Sequence, residues 1–176
     1  AGRYLSIEGA VIQMINHGIT SGALFMLVGF LYDRRHTRRI SDFGGLKKSM
    51  PIYASIFLFT SFASIGLPGL NGFVGEFMIL MGSYPTFKVL TSVAAFGVVL
   101  AAIYMLWAYQ RMFNGQLDND ENAVLSDLNS KELVAVGPLL ALMLFIGIYP
   151  SFIESYVVQD VSVIYESISN LIGVSQ

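Results

Sequence analysis

The apolar stretch from residue 52 to 84 constrains this chain most, because it is too long for one membrane-crossing helix and carries its own interruption. At about 1.5 Å per residue it would extend near 50 Å, whereas a bilayer's hydrocarbon core is only about 30 Å thick. The run Leu67-Pro68-Gly69-Leu70-Asn71-Gly72 supplies the break. Pro68 removes a backbone donor and clashes with the preceding turn, and Gly66, Gly69 and Gly72 add backbone freedom. The segment therefore reads as two half-helices joined by an unwound link. Such a link is tolerated at membrane depth only where protein or a water-filled cavity satisfies its backbone, which places it inside a helix bundle.

Three further apolar segments lie at about residues 6 to 31, 86 to 110 and 132 to 150. With 55% hydrophobic and 12% charged residues and a mean hydropathy of +0.64, the chain falls outside the range of soluble domains. The expected architecture is an all-α integral membrane region, residues 1–176, with four transmembrane segments, the second a discontinuous helix. The tail, 151–176, spaces Ile153, Val157, Val161, Ile164, Ile168 and Leu171 helically, with Glu154, Asp160 and Glu166 elsewhere on the surface. It reads as an amphipathic C-terminal helix that lacks basic residues for an anionic lipid surface and so packs against protein. No secretory leader pattern opens the chain, which begins with Ala inside an apolar helix and reads as a piece of a longer polypeptide.

Cysteine is absent, which excludes disulfides, thiolate metal sites and a thiol nucleophile, and two histidines are too few for most metal cages. Neither a metal nor a cofactor is expected in the chain. Eight of the ten basic residues fall in two connections: Arg34, Arg35, Arg38, Arg39, Lys47 and Lys48 in the first, Arg111 and Lys131 around the third. The positive-inside rule places both on the cytoplasmic side and both chain ends outside. Trp107, Tyr104 and Tyr109 fit an interfacial aromatic belt at that side. The run from Arg34 to Arg39 abuts a membrane-spanning end, so it is a topology signal and no nucleic-acid partner is expected. The Asp- and Asn-rich loop from Asn114 to Ser130 reads as a mobile link.

Two titratable groups stand out within apolar segments, His17 and Glu76. An intramembrane carboxyl is costly in lipid, and its default reading is an ion or proton site. If the second half-helix starts near Gly72, Glu76 lies in its first turn, where the helix dipole favours the charged form while desolvation opposes it. Discontinuous helices recur at ion-coupling sites. A structural carboxyl paired with a basic residue is the competing reading. For His17, an imidazole held by a backbone carbonyl and a member of a hydrated stripe with Gln13, Asn16, Thr20 and Ser21 both remain open.

The stretches His17-Gly-Ile-Thr-Ser-Gly-Ala-Leu-Phe25, Tyr32-Asp-Arg-Arg-His-Thr-Arg38, Phe43-Gly-Gly-Leu46 and Gly66-Leu-Pro-Gly-Leu-Asn-Gly-Phe-Val-Gly-Glu-Phe77 carry a resemblance. Over about residues 8 to 84 the chain resembles the M-type (chain 4) antiporter-like subunits of respiratory complex I, the proton-pumping NADH:quinone oxidoreductase. The related L-type and N-type subunits usually place Lys at the break, so Glu76 selects the M-type. The resemblance implies the last four of fourteen helices, with His17 and Glu76 as proton-relay residues in a central hydrophilic axis and an outward half-channel. It also implies a bacterial inner (plasma) membrane, protons and lipid as what the chain meets, and other membrane subunits of complex I as partners. The family's inner Glu and Lys pair and central Lys belong to earlier helices, so these residues alone hold no complete channel. A cation/proton antiporter or membrane-bound hydrogenase subunit, and a non-transporting structural subunit, stand as alternatives.

Overall fold

The structure, a computed structural model, describes residues 2–171, and the described residues form helices and turns without a strand. The membrane helices are α1 (Gly2–Arg35), the half-helices α3 (Pro51–Ser64) and α4 (Asn71–Ser83), α5 (Lys88–Phe113) and α7 (Ser130–Ile148). Short helices α2 (Leu46–Ser49) and α6 (Asp120–Ala123) lie in the two basic-end connections, and α8 (Ser151–Leu171) closes the order. Helices α1, α5 and α7 are each long and apolar enough to cross a membrane, while α3 is apolar but shorter.

The break occupies residues 65–70, slightly earlier than the expected 67–72, because Asn71 and Gly72 already belong to α4. Helix α3 stops when Gly66 enters the left-handed region at φ 72°: Leu67 N–H donates to Phe62 O at 3.0 Å and Gly66 N–H to Ala63 O at 3.4 Å. This 6→1, 5→2 pair satisfies carbonyls that a helix end would otherwise leave bare. Pro68 and Gly69 then form a turn closed by Leu70 N–H to Leu67 O at 3.1 Å, with Gly69 at φ 93° where the second central position of a type II turn demands glycine. At about 1.5 Å per residue the 14 residues of α3 and 13 of α4 are each too short to span alone. Leu70, Asn71 and Gly72 are buried, while Leu67, Pro68 and Gly69 are exposed, so these helices enclose only one side of the break. Gly147 of α7 supplies that enclosure, since any Cβ there would collide with Leu70 and the Gly69 carbonyl.

Helix α1 buries Glu8, Gly9, Ile12, Asn16, Thr20, Ala23, Leu27 and Leu31, a spacing of one to four residues that marks a single stripe. Its lower half packs closely on α4: a Cβ on Gly9 would come within 2.6 Å of the Met78 Cβ and 2.9 Å of Ile79 N. Small residues let membrane helices approach in this way. Helix α8 lies against the same end of α1, with Val157 and Val161 buried and the Tyr4 hydroxyl donating to Val158 O at 3.0 Å. The tail thus packs on its own chain, although Ile164, placed by spacing on the apolar face, is exposed, and the side chains of Ile168 and Leu171 lie outside the described residues.

The two basic connections meet at one end of the bundle, as the charge distribution requires. The loop after α5, expected to be a mobile link, is instead fastened there. Pro51 opens α3 without a side-chain cap of its own, and the Asp127 carboxylate, from a remote loop, accepts from Ile52 N–H at 2.7 Å and Tyr53 N–H at 2.9 Å. A carboxylate at a helix N-terminus satisfies orphan donors and favours the dipole. Asp127→Ala is expected to destabilise the protein by about 1–2 kcal/mol and Asp127→Asn, which keeps one acceptor, by less. Thermal unfolding of the purified parent assembly reads this; equal melting of both variants and wild type would remove the capping role.

Candidate functional site

Helix α1 and the broken pair α3/α4 bring a line of polar side chains together inside the apolar bundle. Glu76 sits on α4, whose first residue is Asn71, so it belongs to the second turn. The expectation that it lies in the first turn fails by this one-turn difference, and the dipole's effect falls off within the first turn. Packing, not the helix end, defines its setting. Its Oε1 accepts a hydrogen bond from Gln13 Nε2 of α1 at 3.3 Å. Its Oε2 rests on Gly66, where a Cβ would come into collision with it. The carboxyl therefore bridges from α4 back to the end of α3 while contacting α1.

One turn along α1, Asn16 Nδ2 donates to Asn71 O at 2.6 Å, and Asn71 Nδ2 donates to Asn16 Oδ1 at 3.3 Å. Thr20 donates from Oγ1 to Asn16 O at 2.9 Å. Both Asn16 and Asn71 are buried, the second at the first residue after the break. Gln13 Oε1 and Asn71 Oδ1 are buried acceptors that find no partner among the described residues. Polar pairs of this kind fix helix register in lipid and supply an alternative to unsatisfied groups.

His17 does not join this line. It is exposed one turn along α1 from Gln13, on the flank of the buried stripe, with Ser21 Oγ 3.2 Å from the ring, and no hydrogen bond links it to Glu76 among the described residues. Consecutive helical residues point about 100° apart, so burial of Asn16 against α4 turns His17 outward. Met14, Phe25 and Val28 share that exposed side. Of the proposed stripe, Gln13, Asn16 and Thr20 face the break and His17 and Ser21 do not.

Sequence reading missed two features. Glu8, a second acid within an apolar segment, is buried where α1 meets α8, near Glu154; its place in the four-residue series Glu8, Ile12, Asn16 was the available signal. The second is a polar clamp at the basic end. Arg34 donates from Nη1 and Nη2 to both Glu132 oxygens at 2.6 and 2.7 Å, and from Nη1, Nε and Nη2 to the carbonyls of Phe30, Ser126 and Asp127 at 2.9, 3.0 and 3.2 Å. Glu132 also completes a capping box with Asn129 at the start of α7. Arg35 pairs with Glu121 and donates to Asn122 Oδ1 at 2.8 Å. These arginines, read from sequence as a topology signal, are structural ties as well.

A discontinuous apolar helix with a carboxyl folded over its break, flanked by a helix that lines it with amides, defines an all-α membrane protein with a broken helix, a device that recurs at ion-coupling sites. Residues 1–104 match the transmembrane family of NADH:quinone oxidoreductase and Mrp antiporter subunits, and the chain belongs to that family. It is 46% identical over 154 residues to NADH-quinone oxidoreductase subunit M of Rhodobacter capsulatus, covering 86% of this chain and 30% of the relative. NADH-ubiquinone oxidoreductase chain 4 of Marchantia polymorpha is 39% identical over 94% of this chain and 32% of its own length. A chain of respiratory complex I from Thermus thermophilus with bound NADH superposes with a TM-score of 0.78 at 32% identity, over 86% of this chain and 32% of that one. Within the family, the resemblance to M-type subunits read from Glu76 and its flanking motif agrees with these relatives. The chain spans about a third of the length of the relatives it matches.

Proposed function

We propose that the chain is part of a proton-translocating M-type membrane subunit of NADH:quinone oxidoreductase, in which Glu76 takes up and releases a proton as quinone reduction elsewhere in the complex proceeds. The observation that carries this reading is the placement of Glu76: one carboxylate oxygen faces an α1 amide, the other lies on Gly66 at the break, and no basic side chain pairs with it among the described residues. An unpaired intramembrane carboxyl is a poor structural element and a good proton carrier. The Asn16 and Asn71 pair continues the polar line from there toward the basic end.

His17 belongs to the same reading as a relay residue on the exposed flank of α1, where preceding helices of a longer subunit would cover it together with Met14 and Phe25. The half-enclosed break asks for similar cover, because exposed turn backbone is not tolerated in lipid. Other membrane subunits of the complex and the lipid bilayer are the proposed neighbours, and the inner membrane of a bacterium the proposed location, supported by the similarity to the Rhodobacter relative. Flavin, cluster and quinone chemistry is assigned to other subunits. A cation/proton antiporter subunit is the second reading, favoured by the breadth of the matched family; the hydrophilic proteins that co-purify with the chain separate the two.

The test of proton carriage is NADH-driven acidification by vesicles whose complex carries Glu76→Gln. Topology has its own check. With native thiols blocked, cysteines at Lys47 and Asp120 should react only with a reagent on the cytoplasmic side and one at Gln159 only from outside, since the first two lie at the basic end and the third on α8. Labelling of 47 and 159 from one side would overturn the assignment.

A further inference from the structure

We propose that Gln13 is a positioning residue that follows the protonation state of Glu76 by exchanging its amide donor for its amide acceptor. The inference rests on the proton-carrying reading of Glu76. An ionised carboxylate only accepts hydrogen bonds, whereas a protonated one also offers an O–H, and a primary amide carries its donor and its acceptor on two separate atoms at one end, so that turning it presents one or the other. In the structure Nε2 faces Glu76 Oε1 at 3.3 Å, the arrangement suited to the ionised acid. Gln13 Oε1 is then left buried and without a partner among the described residues. A buried acceptor in that condition is costly, and the group that can relieve it is the hydroxyl of a protonated Glu76.

The Gln13 side chain lies flat on α4 because position 75 is glycine: a Cβ there would collide with Gln13 Oε1 and stand 2.8 Å from the Gln13 Cβ and 2.9 Å from its Cα. That contact fixes the stem and seats the terminal oxygen, whose place the amide nitrogen of nearly equal size takes on rotation. Rotation about the terminal torsion, which has a broad, two-fold profile, swaps oxygen for nitrogen without moving the stem. When Glu76 gains a proton, its O–H donates to the reoriented Gln13 oxygen; when the proton leaves, the amide turns back and donates to the carboxylate. Gln13 itself gains and loses no proton. The two orientations form a small bistable element whose balance the proton sets. One turn away Asn71 carries the same signature, a donating amide nitrogen and a buried oxygen without a partner, so the reorientation has a neighbour of like chemistry to act on.

The test uses the intact complex and infrared difference spectroscopy during turnover. The carboxyl band of Glu76 is identified by its loss in Glu76→Gln. In Gln13→Met, which keeps the length and loses both hydrogen-bonding atoms, that band should move to higher frequency, a glutamine amide feature should vanish, and pumping should fall several-fold with complex content unchanged. Gln13→Asn, which draws the amide back by one methylene, should shift the same band and serves if the Met variant fails to assemble. A Glu76 band unmoved in both variants overturns the role of Gln13 and leaves proton carriage standing. Wild-type pumping with no lost carboxyl band in Glu76→Gln overturns proton carriage, and this inference with it.

Discussion

Glu76→Gln should lose most NADH-driven acidification while the complex assembles normally. The amide has the volume of the carboxyl, can still meet Gln13 at the Oε1 position and can rest on Gly66 as Oε2 does, so the contacts that place the side chain survive. What disappears is the exchangeable proton. A relay that loses its carrier should slow by roughly tenfold or more, since each lost interaction of about 1.4 kcal/mol in the transfer barrier already costs that factor. Glu76→Asp keeps the charge but withdraws it by one methylene from Gly66 and Gln13, and should retain a substantial part of the rate. A purely structural carboxyl reverses this order, because Gln preserves the geometry better than Asp. Acidification in vesicles, normalised to complex content on native gels, decides; a Gln variant that pumps like wild type ends the proton-carrier reading.

The second large effect is on stability. Arg34 spends its guanidinium on two carboxylate oxygens and three carbonyls, and the Arg34 and Glu132 side chains are each only 14% exposed. Removing one partner of such a pair strands the other, at a cost of about 3–5 kcal/mol for a fully buried pair and toward the lower end for one that keeps some water. Arg34→Met should therefore sharply lower the amount of assembled complex and its melting temperature. Arg34→Lys should rescue little, because an ammonium cannot reproduce the planar fork. Combining Arg34→Met with Glu132→Gln should recover part of the loss: the charge is gone, and Gln still serves the capping box with Asn129. Normal assembly of the single Met variant would show that the clamp contributes nothing measurable.

The structure separates the two candidate residues. His17 and Glu76, paired in the sequence reading as one relay, share no hydrogen bond among the described residues, His17 being exposed beside the buried stripe of α1, and the residues that share the polar line with Glu76 are Gln13, Asn16 and Asn71. Helix α5 is buried only at Thr91, Tyr109 and Phe113. Stacked rings of Tyr109 and Phe113, 4.6 Å apart, join Tyr53 and Phe57 of α3 at the basic end, and the middle of the helix presents apolar residues outward. The aromatic cluster and the arginine ties thus gather at the basic end, and the site lies below it.

The amino-acid sequence by itself determined the class, the apolar segments and the break, because each follows from local chemistry. Runs of apolar residues either suffice to cross a bilayer or do not, Pro68 cannot continue a helix, and Gly66 and Gly69 accept left-handed backbone wherever they are placed. The clustering of Arg and Lys in two connections likewise foretold that these meet at one end. The tertiary structure alone decided what each polar group touches. Asp127 caps a helix 75 residues earlier in the chain, Arg34 meets a carboxylate 98 residues later, and Gln13 reaches Glu76 across 63. No periodicity encodes such partners: composition marked the loop after α5 as a mobile link, but whether a loop is loose or fastened depends on donors supplied from elsewhere. Nor could spacing say which side of α1 would face α4, since a helix with polar residues at 13, 16, 17, 20 and 21 offers two neighbouring stripes. Close packing chose between them, through Gly9 and Gly75, whose missing side chains let α1 and α4 touch along one stripe and leave His17 on the other.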